Sequence, residues 1–525
     1  LADQSKYSFF RRVFNFKRFH WTNRHAFIRG TFSSNETLHA LLIELLFWIP
    51  ALAISLITAW KIATNSEEAL IWGGTVILTI LMARHESFAI YLFLLMPTAG
   101  ELARQSIGPE NGLLPTDILI PLFICVWLAK KFLIRPITQP YNSPESSIFS
   151  QAKSPLQRKK NNPLKPLLFF GFFAILSLIQ AFAFLKPAEV LTSSFYLIRF
   201  ISYALLYLVV SEFLLEDASQ KQTRRLFNIA IAAGVIITVA GFIQLMIYPD
   251  LGNLETYGWD PHINRLVSTW LDPNFVGGYL AFIICVILGV ATYASKASHK
   301  IYFYAVVTLM SVALFLTYSR SAYLAAAAGI TIYGILKSRR LLIVFLIIFL
   351  LAIGLSPRAE QRVTDLKYSI SAFIFNTSST PDPTAKLRIQ SWEQTLELIA
   401  KRPLLGSGFN TLRYVKYNEG YISNTKIHSA SGSDSSLLTV LATTGIAGFM
   451  PFIWFYFEIA ALTFKNWRNK KIPAFGRGIS LGLFAGLAAL FCHSFFVNSL
   501  FFPPILIPVT VIIGIVDSFS RRQIR

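Results

Sequence analysis

The chain has 525 residues, of which 54% are hydrophobic and 14% charged, with 48 Lys and Arg against 27 Asp and Glu for a net charge of +21. A soluble domain averages roughly 25% charged residues, so this composition, with a mean hydropathy of +0.53, excludes a soluble globular protein and identifies an all-α polytopic membrane protein. The positive excess would point to nucleic acid in a soluble chain; here it belongs to basic loops that orient helices, and no nucleic-acid partner is expected.

The chain opens at Leu1, which reads as a processed or truncated start. Residues 1–37, with "YSFFRRVFNFKRFHW", are basic and aromatic and lack a signal-peptide cleavage pattern. They read as a cytoplasmic arm lying on the membrane surface. A spanning helix takes about 20 mainly apolar residues. Fourteen segments fit, near 38–60, 67–82, 86–99, 114–134, 164–185, 190–213, 226–248, 275–295, 300–318, 320–337, 339–355, 436–463, 477–497 and 499–517. The second and third are short enough to form one broken element, and "FFPP" between the last two suits a re-entrant turn, so about 12–14 transmembrane helices are expected. The bundle then occupies 38–355 and 436–525.

Loop charge sets the orientation. The Pro-, Ser- and Asn-rich linker 136–163 sits in a stretch, 130–165, with eight Lys/Arg against one acid. It falls on the same side as "KQTRR", "SKASHK", "KSRR", "KNWRNKK" and the tail "RRQIR". The positive-inside rule makes that side cytoplasmic and places both termini there. The other side receives the loop 249–274, with four acids and one basic residue, Arg265, and the long hydrophilic loop 356–435. Within the latter, 384–403 reads as an amphipathic helix with Ile389, Trp392, Leu396 and Ile399 as its apolar stripe, stopped by Pro403 and "GSG". Cys125, Cys285 and Cys492 show no paired spacing, so neither a disulfide framework nor a metal site is expected. The adjacent Cys492–His493 reads as helix packing.

Four arginines fall at or near the outer boundary. Arg199 lies inside "SSFYLIRFISYALLYLVV", Arg265 in the acidic loop, Arg320 where the chain turns back at "FLTYSRSAYLAAAAG", and Arg388 at the start of the amphipathic helix. A charge within a spanning helix costs at least ~3 kcal/mol on insertion scales and usually faces a cavity and a partner. Guanidinium forks suit a phosphate or pyrophosphate. Structural readings stand beside this one. Arg199 has a partner inside the bundle, Arg265 pairs with Asp260 or Asp272, Arg320 snorkels, and Arg388 is an exposed helix-start residue.

Four blocks in order, "NRLVSTWLDPNFVGGYL", "LTYSRSAYLAAAAG", "RIQSWEQTLELIAKRPLLGSGFN" and "DSSLLTVLATTGIAGF", resemble the O-antigen ligase and O-antigen polymerase superfamily. "YLIRFISYALLYLV" resembles that family's arginine-bearing helix, and "LLPTDILIPLFICVWL" an earlier helix that begins near Asp117. The resemblance spans about residues 70–517 and leaves out the arm and the linker. It implies an inverting glycosyltransferase of the bacterial inner membrane that uses no metal or other cofactor. The donor is a polyprenyl-diphosphate-linked glycan. The acceptor is a lipid A–core sugar, another glycan or a protein, and the site faces the periplasm among membrane lipid. By this resemblance Arg199 and Arg265 hold the diphosphate, Arg320 and Arg388 assist or position the outer loop, and Asp272 and Asn274 support the site. Arg199 is then offset by the phosphate of a bound carrier. The family commonly shows a His as general base before "TGIAG"; alignment from Gly445 puts Asp434 there, and the nearest histidine is His428. Asp434 is the base, or His428 is, or Asp434 caps the helix that follows. From a different class, a transporter of anionic or lipid-linked substrate fits the composition, although no internal repeat supports it.

Overall fold

The computed structural model of the protein describes residues 74, 78–79, 81–82, 84–107, 111–131, 162–257, 260–354, 356–358, 360–361, 364, 383–425 and 432–523. The arm 1–37, the span expected at 38–60, most of 67–82, most of the linker 136–163 and His428 lie outside the described residues. The chain divides into two compact units, Leu1–Leu78 with Ala129–Ser146 and Thr79–Leu128 with Ser147–Arg525. The described residues of the first, Gly74, Leu78 and 129–131, are helical. The second holds the elements that follow.

Among the described residues, eight helices are long and apolar enough to cross a membrane. They are α3 (Leu164–Ala181), α4 (Pro187–Phe213), α5 (Lys221–Ile247), α6 (Pro273–Tyr293), α7 (Ala297–Leu316), α12 (Ser436–Arg468), α13 (Ala474–His493) and α14 (Pro503–Arg522). The segments expected at 86–99, 114–134, 320–337 and 339–355 form shorter apolar helices: α1 (Glu86–Leu95), α2 (Thr116–Ala129), α8 (Arg320–Leu336) and α9 (Arg339–Gly354). The outer loop carries α10 (Pro383–Lys401) and the short α11 (Leu412–Asn418). Two small antiparallel ladders, β1 (Gln105–Ile107) with β2 (Asn111–Leu113) and β3 (Asp250–Leu251) with β4 (His262–Ile263), pair Gln105 with Leu113 and Asp250 with Ile263. The protein is an all-α polytopic membrane protein. "FFPP" is a helix start rather than a re-entrant turn. Pro503 and Pro504 occupy the first turn of α14, where their missing N–H groups go unused and their fixed φ already suits a helix.

Helices α6 and α14 are buried along almost their whole length and form the centre. Lipid supplies no hydrophobic drive between helices, so close backbone approach must hold them together. Gly478, Gly482 and Gly486 make a small-residue ridge along α13. A Cβ on Gly482 would lie 2.6 Å from the Val286 Cα of α6, so only glycine lets the two backbones meet. On the other flank α14 packs along α4.

Helix α12 is broken at Gly445, whose φ of 61° and ψ of −171° lie outside helical space. The carbonyls this break exposes would be costly at membrane depth. The segment 403–408 satisfies them: Ser407 and Gly408 donate their N–H groups to the Ala442 and Thr443 carbonyls at 3.0 and 2.9 Å. In return the Ile446 and Ala447 N–H groups reach the Pro403 and Leu404 carbonyls. The "RPLLGSG" and "TTGIAG" stretches therefore form one unit.

Helix α10 ends at Lys401, as Pro403 and "GSG" require. Its inward face differs from the expected stripe. Thr395 and Leu398 are buried, Ser391 on the same face is half-buried, and Leu396 is 53% exposed. Small Ser and Thr side chains let this face approach α12, and Trp392 packs against the Phe496 ring at 6.0 Å. The basic turns gather at one end of the bundle, where Arg224 covers Phe475 and both Lys337 and Arg477 flank Tyr293.

Candidate functional site

The end opposite the basic turns is built from helix starts and helix ends. Asp117 stands in the first turn of α2 and folds back to accept the Leu114 N–H at 2.8 Å. Arg199, on α4, donates from Nη2 to the Asp117 Oδ2 at 2.5 Å, and the Tyr203 hydroxyl donates to Oδ1 at 2.7 Å. The Arg199 guanidinium also lies 4.8 Å from the Tyr196 ring centroid. This corrects the expectation that a bound carrier alone offsets Arg199. Its charge has an internal partner, and Asp117, four residues from the turn of β2, supplies it. Arg199 still reaches a small cleft of about 30 Å³ shared with Tyr196, Phe200, Phe409, Asn410, Phe501 and Leu506.

Beside this pair, Glu101 and Arg104 bridge at 2.8 Å. Burial pushes the Glu101 carboxyl up, against the pull of Arg104 and Arg199, while Asp117 and Asp272 push it further. Glu101 thus stands within electrostatic reach of both the Arg199 pair and the outer loop.

Arg265 closes the end of α7. Its Nε donates to the Thr317 carbonyl at 2.9 Å and its Nη2 to Tyr318 at 3.4 Å. A cation on the last carbonyls of a helix also suits the helix dipole. Next door, Arg358 donates to the Ile263 and Asn264 carbonyls at the end of β4 and covers Tyr318. The structural alternative for Arg265, a clasp on Asp260 or Asp272, gives way to these carbonyl contacts, although both carboxyls feel its charge.

The "DPN" block is a helix start. Asp272 caps α6, its Oδ1 accepting the Asn274 and Phe275 N–H groups at 2.6 and 3.3 Å, and Pro273 fills the first position. Asn274 Oδ1 accepts from the Ser319 hydroxyl at 2.7 Å. Ser319 in turn caps α8, of which Arg320 is the first residue. Ser319 and Ser321 Oγ lie 3.1 Å apart, and Ser321 Oγ is 3.3 Å from His493 Nε2. His493 is fully buried against Gly278, so it packs as expected but within a polar chain that reaches the DPN block.

Asp434 does not cap α12. Ser435 does, accepting the Leu438 N–H at 3.3 Å, and this removes the capping alternative. Asp434 instead stands just before the cap at φ 54°, a left-handed conformation uncommon for a non-glycine residue. Burial pushes its carboxyl above the usual range; Arg388 and Lys416 pull it back, and Asp260 and Asp272 push it up. Asp272 is raised by burial against its two N–H donors, Arg265 and Arg388, and Asp260 is raised by burial and by Asp272. The structure therefore brings Arg265, Arg388, Asp272 and Asp434 into one mixed-charge cluster. Arg199 belongs to the adjoining Asp117 knot, and Arg320 and Asn274 belong to the α6–α8 caps.

Lys416 and Glu101 carry no periodicity or spacing that marks them in the sequence, and only the folded chain brings them here. Lys416 lies on a seven-residue helix inside a long loop. Burial lowers its ammonium to about 8.

Residues 305–453, from within α7 through α10 and the kink of α12, match the model of a family described as O-antigen ligase. No curated protein matches the chain. The matched segment frames the cap-built cluster, and over these residues the chain is similar to the O-antigen ligase family.

Proposed function

We propose that the protein transfers a glycan from a polyprenyl-diphosphate carrier to an acceptor hydroxyl, at the end of the bundle opposite its basic turns. The family match supports membrane glycosyl transfer of the ligase or polymerase type. The positive-inside rule makes the basic end cytoplasmic and the site extracytoplasmic, which in a bacterial inner membrane is the periplasmic face. The observation that carries the reading is the half-buried cluster of Arg265, Arg388, Asp272 and Asp434 beside the buried Lys416, with Asp260 at its exposed edge and Asp434 excused from capping.

In the reaction the acceptor oxygen attacks the anomeric carbon from the face opposite the carrier. The bond from that carbon to the phosphate oxygen breaks, and the diphosphate leaves with the electron pair. Negative charge grows on the leaving group, so fixed cations stabilise the transition state more than the ground state. Arg265 and Arg388 hold that diphosphate, Arg199 binds it from the adjoining cleft, and Arg320 positions the outer loop. Asp272 and Asn274 fix the start of α6. Asp434 takes the acceptor's proton as general base; a carboxylate raised by burial suits that task. The acceptor is a sugar of a lipid A–core, a carrier-linked glycan or a protein.

Binding of undecaprenyl diphosphate to the purified protein tests the reading. Wild type binds it, Arg265→Ala and Arg388→Ala lose it, and Asp434→Asn keeps binding while carrier release in membranes stops. Full binding by both arginine variants would remove the diphosphate assignment.

A further inference from the structure

Lys416 is only 2% exposed, on a loop that is otherwise hydrophilic. An ammonium at such a position is retained only where hydrogen bonds and charge satisfy it. Its Nζ donates to Ser391 Oγ at 2.9 Å and to the Gly432 carbonyl at 3.1 Å. Ser391 stands three residues after Arg388 on α10, hence on the same helix face. Gly432 stands two residues before Asp434. One side chain therefore ties the Arg388 face of α10 to the turn that delivers Asp434. That turn is pinned from the other side as well: Ser433 Oγ lies 3.0 Å from Thr439 Oγ1, which donates to Asn498 Oδ1 at 3.1 Å. The left-handed backbone at Asp434 needs such bracing on both sides to persist.

We infer that Lys416 is a positioning residue of the transfer site, tethering the turn before Asp434 and setting a fixed positive charge beside its carboxylate. The inference rests on the assignment of Asp434 as the base. Among the described residues, the charged groups facing Asp434 are Arg388 from α10, Lys416 from α11, and Asp260 and Asp272 from the outer loop. Two cations and two carboxylates oppose each other, so loss of one cation leaves the balance acidic. Asp434 then holds its proton to higher pH, and the ionised form that accepts the acceptor's proton is scarcer on the acid side. Lys416 itself has Asp434 as its charged neighbour and titrates near 8, so its charge is present through the neutral range.

The test follows carrier release in membranes that hold their own lipid-linked glycan, with undecaprenyl diphosphate measured by mass spectrometry as the pH is varied. Asp434→Asn is measured first and must abolish release; retained release there would end both the base assignment and the inference built on it. With that established, Lys416→Met moves the acid limb of the profile upward by about one pH unit, the lower range for an opposite charge close to a carboxylate. Lys416→Arg leaves the limb near its wild-type position. Lys416→Gln keeps a donor for Gly432 without the charge, and it shows the same upward move should the methionine variant fail to fold. An acid limb that stays in place in the neutral variants, or that moves as far in Lys416→Arg as in Lys416→Met, would leave Asp434 as the base and overturn the role of Lys416.

Discussion

The Arg199–Asp117 pair offers the sharpest stability test. The Arg199 side chain is 14% exposed and that of Asp117 is 2% exposed. Asp117 also accepts from Tyr203 and from the Leu114 N–H. Asp117→Ala removes the partner of a charge that has little access to water and strands two further donors. Breaking a buried pair by deleting one member costs roughly 3–5 kcal/mol, mostly because the surviving charge is uncompensated. Removing both charges is far less costly, since a well-packed apolar pair of similar volume is often neutral. The double variant Asp117→Leu, Arg199→Met should therefore lie well above the sum of its single variants, with a coupling on the order of 2 kcal/mol. Unfolding in SDS-containing mixed micelles measures the four corners of that cycle, wild type, Asp117→Leu, Arg199→Met and the double variant, with Asp117→Ala measured alongside. A cost for Asp117→Ala below about 1 kcal/mol, or a cycle that adds without coupling, would refute an internal offset for Arg199. Release of undecaprenyl diphosphate separates the two roles of the residue. The double variant should recover stability and remain inactive, because Arg199 is also proposed to bind the diphosphate.

Gly445→Ala should cost about 3 kcal/mol or more, because its backbone conformation is one that essentially only glycine adopts and the new Cβ would lie 2.2 Å from the Leu404 carbonyl oxygen; monodispersity on size exclusion would report the loss. Gly482→Leu should separate α6 from α13 and lower the yield of folded protein in membranes, whereas Gly482→Ala should be milder. Arg265→Ala should weaken undecaprenyl diphosphate binding at least tenfold, and Arg265→Lys should restore only part of it, since a lysine lacks the planar fork. His262 is buried and beside Arg265, which together depress its imidazole from 6.5 to about 4. A depressed folded value means that the neutral ring stabilises the fold above about 6.5 and that this contribution is lost as pH falls toward 4. His262→Asn should flatten the loss of thermal stability over that window, and an unchanged slope would show that the ring titrates freely.

Much of the fold is legible locally. Runs of about 20 apolar residues set most of the spans, and Pro403 with the glycines after it sets the end of α10. Asp272–Pro273–Asn274 reads as a helix start because a cap and its proline act within one turn. The blocks that resemble the O-antigen ligase superfamily likewise carry their order in the chain, and the arginines at one boundary follow from counting spans.

Other features need partners that lie far away in the sequence. Asp117 and Arg199 are 82 positions apart, and hydropathy cannot say that one neutralises the other. Whether Asp434 or Ser435 caps α12 is a matter of one backbone torsion, φ 54° at Asp434, which the braced turn imposes. The inward stripe of α10 is shifted because α12 and Lys416 accept its small polar face rather than its largest apolar residues. The sequence by itself determined most of the apolar segments, the end of α10 and where the charges stand along the chain, because those depend on neighbours within a turn or two. Only the tertiary structure decided which charges meet, because burial and the pairing of Arg199, Lys416 and Asp434 are properties of the packed bundle, where a low dielectric makes each unpaired charge costly.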